Sequence, residues 1–166
     1  MTWDAYHRRD DILRRLDEVA DRHRDGRLPW NEIDAASVFD STSDLLLAVQ
    51  MRWHTRLSGR IDRELMNDPM DLRSAIARAW RHAAADLPGM RAILDAHDDV
   101  PALGKARDKE LGYLASAAGL AAMDDPDAVG IGFELRDDAR SIVLDRQPPA
   151  GHRAGWLGRL RHTCAA

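Results

Sequence analysis

The sequence predicts an all-α, single-domain bundle of five to seven helices, and three observations carry that prediction. Apolar residues recur at spacings of three and four through most of the 166 residues, the period of one face of an α-helix. Capping residues and Pro or Gly breaks divide this pattern into segments of helical length. Hydrophobic residues make up 45% and charged residues 31%, so the chain is apolar enough to bury one core and too balanced to stay disordered.

The first segment, Trp3 to Arg24, sets Tyr6, Ile12 or Leu13, Leu16 and Val19-Ala20 among charges of both signs, the pattern of an amphipathic surface helix. It stops near Asp25-Gly26, and Pro29 forbids helix continuation through Leu28. A short helix from Asn31 to about Ser37 follows. The next helix is the clearest in the chain. Leu46, Val49, Trp53, Leu57, Ile61 and Leu65 form one stripe, Ser41 or Ser43 supplies the cap, and Asp44 places negative charge at the positive end of the helix dipole.

After Asn67 the sequence restarts, with Asp68 as the expected N-cap, Pro69 in the first helical position and Asp71 in the first turn. Leu72, Ile76, Ala79-Trp80, Ala83 and Leu87 form its stripe until Leu87-Pro88-Gly89 breaks it. A shorter helix carries Met90, Ile93, Leu94 and His97 on one side. Asp98-Asp99-Val100-Pro101 opens a further long helix through Leu103, Arg107, Leu111, Leu114, Ala118 and Ala121. The segment 129–144 alternates at Val129, Ile131, Phe133 and Leu135, yet Ala128, Ile131, Leu135, Ala139 and Ile142 fit a helix. A helix is expected, because an isolated two-stranded ribbon has no sheet to join. Three regions result: an N-terminal segment 1–38, a helical body 39–147 and a basic tail 148–166.

Net charge is −4, and Lys occurs only at Lys105 and Lys109, so a general basic footprint for nucleic acid is missing. Arg140, Arg146, Arg153, Arg159 and Arg161 gather near the end, which reads as a solvated tail or a short basic amphipathic piece. Cys164 has no intramolecular partner, and a reducing compartment follows. No signal peptide and no membrane-length apolar run is recognised, so a cytoplasmic location is expected.

The stretch Phe39-Asp40-Ser41-Thr42-Ser43-Asp44-Leu45-Leu46 resembles the junction in tetracycline-repressor (TetR) family regulators where the DNA-binding head passes into the helical body. The downstream layout is similar too: a long helix, an Asp-Pro restart, and a Trp-bearing helix ending in Leu-Pro-Gly. Arg8-Arg9-Asp10-Asp11-Ile12-Leu13 resembles the start of the family's first helix. The resemblance implies a homodimer closed by its last two long helices and a small-molecule or partner site inside the bundle. Between Ile33 and Phe39, however, there are too few residues for a turn and a recognition helix. The head is then degenerate, and DNA binding is expected to be weak and electrostatic, or absent.

Trp53-His54 and Trp80-Arg81-His82, with Met51 and Met90, are the ligand-pocket candidates. Large aromatics and adaptable thioethers suit a flat apolar ligand, and they suit an ordinary core equally well. Counted from the turn at Asn67 to Pro69, Trp53 and Trp80 lie at nearly the same height at about 1.5 Å per residue, so the two indoles should meet. Ala115, Ala118, Ala122, Leu135 and Ile142 are the candidates for a dimer interface. His54, His82 and His97 lie on successive helices, but Glu-x-x-His pairs are missing and no metal site is expected. Cofactors and catalytic residues are not expected: there is no Gly-x-Ser-x-Gly, and the paired acids read as helix starts. The expected function is a non-catalytic, dimeric, ligand-responsive regulator of TetR type. A helical protein–protein interaction module without DNA binding is the alternative, and a metal- or haem-binding bundle comes last.

Overall fold

The computed structural model describes residues 3–67 and 69–141. Six α-helices and two short 3₁₀ helices are present among these residues, with no strand: α1 Trp3–His23, α2 Thr42–Leu65, α3 Leu72–Asp86, α4 Pro88–Ala96, α5 Gly104–Ala117 and α6 Ala128–Ser141. The all-α bundle is therefore as the periodicity requires, and the ambiguous segment is a helix over its described residues, 129–141.

α2 is the central element. Leu46, Val49, Trp53, Leu57 and Ile61 are all buried, and this stripe faces α3, α4 and α5. Ser41 caps it, its Oγ accepting a hydrogen bond of 3.1 Å from the Asp44 N–H. α1 lays Ile12, Leu16, Val19 and Ala20 on the same core and crosses α4 where Gly89 meets Ala20. A Cβ at Gly89 would overlap the Ala20 backbone, so glycine permits the crossing. The Gly89 N–H also donates to Asp21 Oδ1 at 2.9 Å, which ties the start of α4 to α1. The chain leaves α1 through two left-handed residues, Arg24 (φ 50°) and Gly26 (φ 75°). At Gly26 a side chain would meet both this strained φ and the Ala96 methyl at 2.8 Å.

Three boundaries differ from the sequence expectation. Only Ala35–Ser37 forms a 3₁₀ helix where a helix over Asn31 to Ser37 was expected, because Asp34 takes a left-handed φ of 56° and ends the preceding turn. α3 starts at Leu72 with Asp71 as its N-cap, the Asp71 carboxylate accepting from both the N–H and the hydroxyl of Ser74. Those bonds to Ser74 hold the Asp71 carboxyl below its usual pKa, and Pro69 precedes the helix; the expected cap Asp68 lies outside the described residues. α5 stops at Ala117 rather than Ala121, since Gly119 turns left-handed at φ 68°. Ile142, residues 143 and 144 of the ambiguous segment, and the basic tail lie outside the described residues.

α5 and α6 form the closest helix pair. A Cβ at Gly132 would overlap the Leu111 backbone, and Leu111, Leu114, Leu135 and Ala139 fill the join. This hairpin turns Ala115, Ala118 and Leu135 inward, buried in the chain's own core. They present no surface for a second subunit, while Ala122 is exposed in the loop. The large apolar side chains that α6 leaves exposed are Val129 and Phe133.

Candidate functional site

Trp53 and Trp80 do meet. Their ring centroids are 5.7 Å apart and the planes are inclined by 70°, an edge-to-face contact in which the rings themselves fill the shared space. Arginines cover both indoles: the Arg91 guanidinium lies 4.7 Å from the Trp53 ring centroid and that of Arg140 lies 5.6 Å from Trp80. Asp95 joins the two arginines, accepting from Arg91 Nε at 3.0 Å and pairing with Arg140. Behind this cluster Gln50 donates to Glu110 at 2.5 Å, both buried, and the nearly buried Arg136 sits 3.6 Å from Asp98. Burial, with Arg140 beside it, pushes the Arg136 pKa down. Trp53 Nε1, Trp80 Nε1 and Arg136 Nε are buried without a hydrogen-bond partner among the described residues. This is a packed, polar-lined core whose charges lock α4 and α6 around the two tryptophans.

The remaining ligand candidates disperse. Met90 is buried in the core and His82 is exposed. His54 rests against Tyr113 with centroids 5.5 Å apart. Burial raises the pKa of the Tyr113 phenol, helped by the nearby Asp62 charge. No group of three or more His, Cys, Asp or Glu able to hold a metal occurs among the described residues.

Met51 points elsewhere, into a groove of about 800 Å³ between α1 and the outer side of α2. Two ridges of α2 at four-residue spacing build it: Leu47, Met51, Thr55, Gly59 and Arg63 form one, and Ala48, Arg52, Arg56 and Arg60 the other. Such i, i+4 rows stand side by side on one helix surface. From α1 come Arg9, Asp10 and Leu13, and Leu87 closes one end. The floor is apolar, with Leu47 41% and Met51 66% exposed, and the lining holds five arginines against one acid.

Ion pairs hold the walls in place. Arg9 reaches Asp44 at 3.1 Å and Arg52 reaches Asp10 at 3.2 Å, each spanning α1 and α2. Arg60 grips Asp86 of α3 with two bonds of 2.7 and 2.5 Å, and Arg56 approaches the same carboxylate at 3.8 Å. Arg63 makes no ion pair among the described residues. On α1, Asp17 has its Oδ1 buried without a hydrogen-bond partner among the described residues. Burial raises its pKa, Asp21 adds to the rise, and Arg52 and Arg56 oppose it.

Gly59 completes the groove. Nothing lies within 4 Å of where its Cβ would stand, so this mid-helix glycine, which costs about 1 kcal/mol relative to Ala, serves no packing within the chain. The sequence pointed to Met51 but not to the groove, although the arginines at 52, 56 and 60 were legible as a row opposite the apolar stripe.

Comparison with protein-family models, with curated proteins and with solved structures gives no match to this chain. No helix among the described residues is long and apolar enough to cross a membrane.

Proposed function

We propose that this chain is a non-catalytic helical interaction module whose α1–α2 groove receives an acidic amphipathic helix. The observation that carries the reading is the groove itself: an exposed apolar ridge flanked by arginines. Its length from Leu47 to Arg63 is about 24 Å at 1.5 Å per residue, which matches a partner helix of about 16 residues rather than a compact ligand. Helix-in-groove recognition needs an apolar trough for anchors at i, i+3, i+4 and i+7. The arginines then select acidic flanks and steer the encounter.

A small apolar ligand between Trp53 and Trp80 has less support, because those rings close on each other. The connector between α1 and α2, made of turns and a three-residue 3₁₀ helix, supports the reading without direct base recognition. In the terms of the TetR resemblance, the proposal is a binding body without a reading head.

The test uses the full chain and two designed amphipathic peptides of about 16 residues, one with Glu and one with Lys on its polar face. Fluorescence anisotropy should show binding of the Glu peptide only, weakening as salt screens the arginines. Gly59→Trp should abolish that binding without altering the circular dichroism spectrum, since the site of its Cβ is open. Equal binding of both peptides, or unchanged binding by Gly59→Trp, would overturn the proposal.

A further inference from the structure

The groove has a chemical complement elsewhere on the same chain. The outward ridge of α6 runs Val129, Phe133, Asp137 at four-residue spacing, with Val129 39% and Phe133 51% exposed. Glu134 and Asp137 on this face are exposed and form no ion pair among the described residues. The two basic residues of α6 are engaged within the chain, the buried Arg136 lying over the Phe133 ring and Arg140 held by Asp95, and Arg73 of α3 pairs with Asp138 beside the face. The preceding turn adds exposed Met123, Asp124 and Asp127. The face is therefore apolar at its centre and acidic at its margins, the pattern the groove selects.

We infer that the occupant of the α1–α2 groove is the α6 face of a second copy of this chain, which gives a head-to-tail assembly; the inference rests on the groove reading above. Charge decides against the symmetric alternative. Two α6 faces placed together would set the Glu134 and Asp137 carboxylates of one copy against those of the other, and opposed like charges repel. The groove offers the opposite sign.

The spacing also matches. Both ridges step by four residues, so a parallel seating sets Phe133 over the open position at Gly59 and brings Asp137 to Arg63, the groove arginine without an ion pair among the described residues. Groove and face belong to different helices, α1 and α2 for one, and α6 packed on α5 and α3 for the other. Each copy therefore keeps one surface free after the first contact, and the interface is heterologous.

Sedimentation velocity on the full chain tests this with two variants altered only at exposed positions: Phe133→Lys on the face, and the double variant Met51→Glu with Arg63→Glu in the groove. Wild type should gain mass with concentration and lose it as salt rises. Each variant alone should be monomeric, its association weakened by about tenfold or more. A mixture of the two should form a heterodimer and nothing larger, because only one complementary pair of surfaces survives. Self-association of the groove variant at wild-type strength would mean that α6 faces meet each other, and would overturn the inference; so would wild-type strength in Phe133→Lys, or a monomeric wild type at every concentration. The Glu peptide separates this failure from failure of the groove. If Phe133→Lys still binds the peptide, only the self-docking falls, whereas loss of peptide binding by wild type removes both.

Discussion

Replacing Trp53 by Ala tests the reading that the tryptophan pair is packed core rather than an open pocket. The side chain is fully buried, and truncating such a residue to Ala costs about 3–5 kcal/mol in transfer and cavity terms. The edge-to-face contact with Trp80 is about 0.5–1.5 kcal/mol beyond area burial, and it is lost along with the cover from Arg91. One effect opposes these. Trp53 Nε1 is buried without a partner among the described residues, so deleting it relieves a desolvation cost of about 1 kcal/mol or more. The expected loss is therefore near the low end, about 3 kcal/mol, a large share of the roughly 5–15 kcal/mol that stabilises a domain. At about 2–4 °C per kcal/mol for a domain of this size, the melting temperature should fall by about 6–12 °C. Urea unfolding followed by circular dichroism measures it. A cycle of Trp53→Leu and Trp80→Leu keeps the variants folded and should return a coupling of about 0.5–1.5 kcal/mol. A loss below about 1 kcal/mol for Trp53→Ala, which is the scale of ordinary surface changes, or no coupling in the cycle, would refute the packed-core reasoning.

Gly132→Ala and Gly130→Ala should move stability in opposite directions in the same assay. The first forces a methyl onto the Leu111 backbone and should cost about 1–3 kcal/mol or more; the second meets nothing within 4 Å and should gain up to about 1 kcal/mol from helix propensity. Asp17→Asn should raise the melting temperature at neutral pH. Burial raises the carboxyl pKa in the folded state, so the native chain binds the proton more tightly than the unfolded chain, and ionised Asp17 opposes folding above that raised pKa. The penalty disappears as pH falls through the folded and then the unfolded value. Wild type and Asp17→Asn melts should converge there, and a stability gap independent of pH would contradict this.

How much was legible depended on how far apart the interacting residues lie. The apolar stripe of α2 and its Ser41 cap are encoded within one or two helical turns, so the sequence carries both. Trp53 and Trp80 were found together because a short turn makes α2 and α3 antiparallel neighbours. Asp71 was read as a first-turn residue because Asp68-Pro69 is an equally good local start signal, and only the bonds to Ser74 choose between them. The inward face of α5 and α6 was read as an interface because an Ala-rich stripe looks the same whether its neighbour is α6 or another subunit.

What the sequence by itself determined is therefore the helical class, the order of the elements and the residues that must be buried, since periodicity and capping are properties of short stretches. Which helices touch was decided by the tertiary structure. Gly89 reads as an ordinary break and Gly132 carries no packing signal until Ala20 and Leu111 are brought against them. The groove is the extreme case. It joins residues 9 to 13 with residues 47 to 63, and its charge depends on pairs such as Arg9 with Asp44 and Arg60 with Asp86. No local pattern specifies those partners, because the chain segments between them set the distance that folding must close.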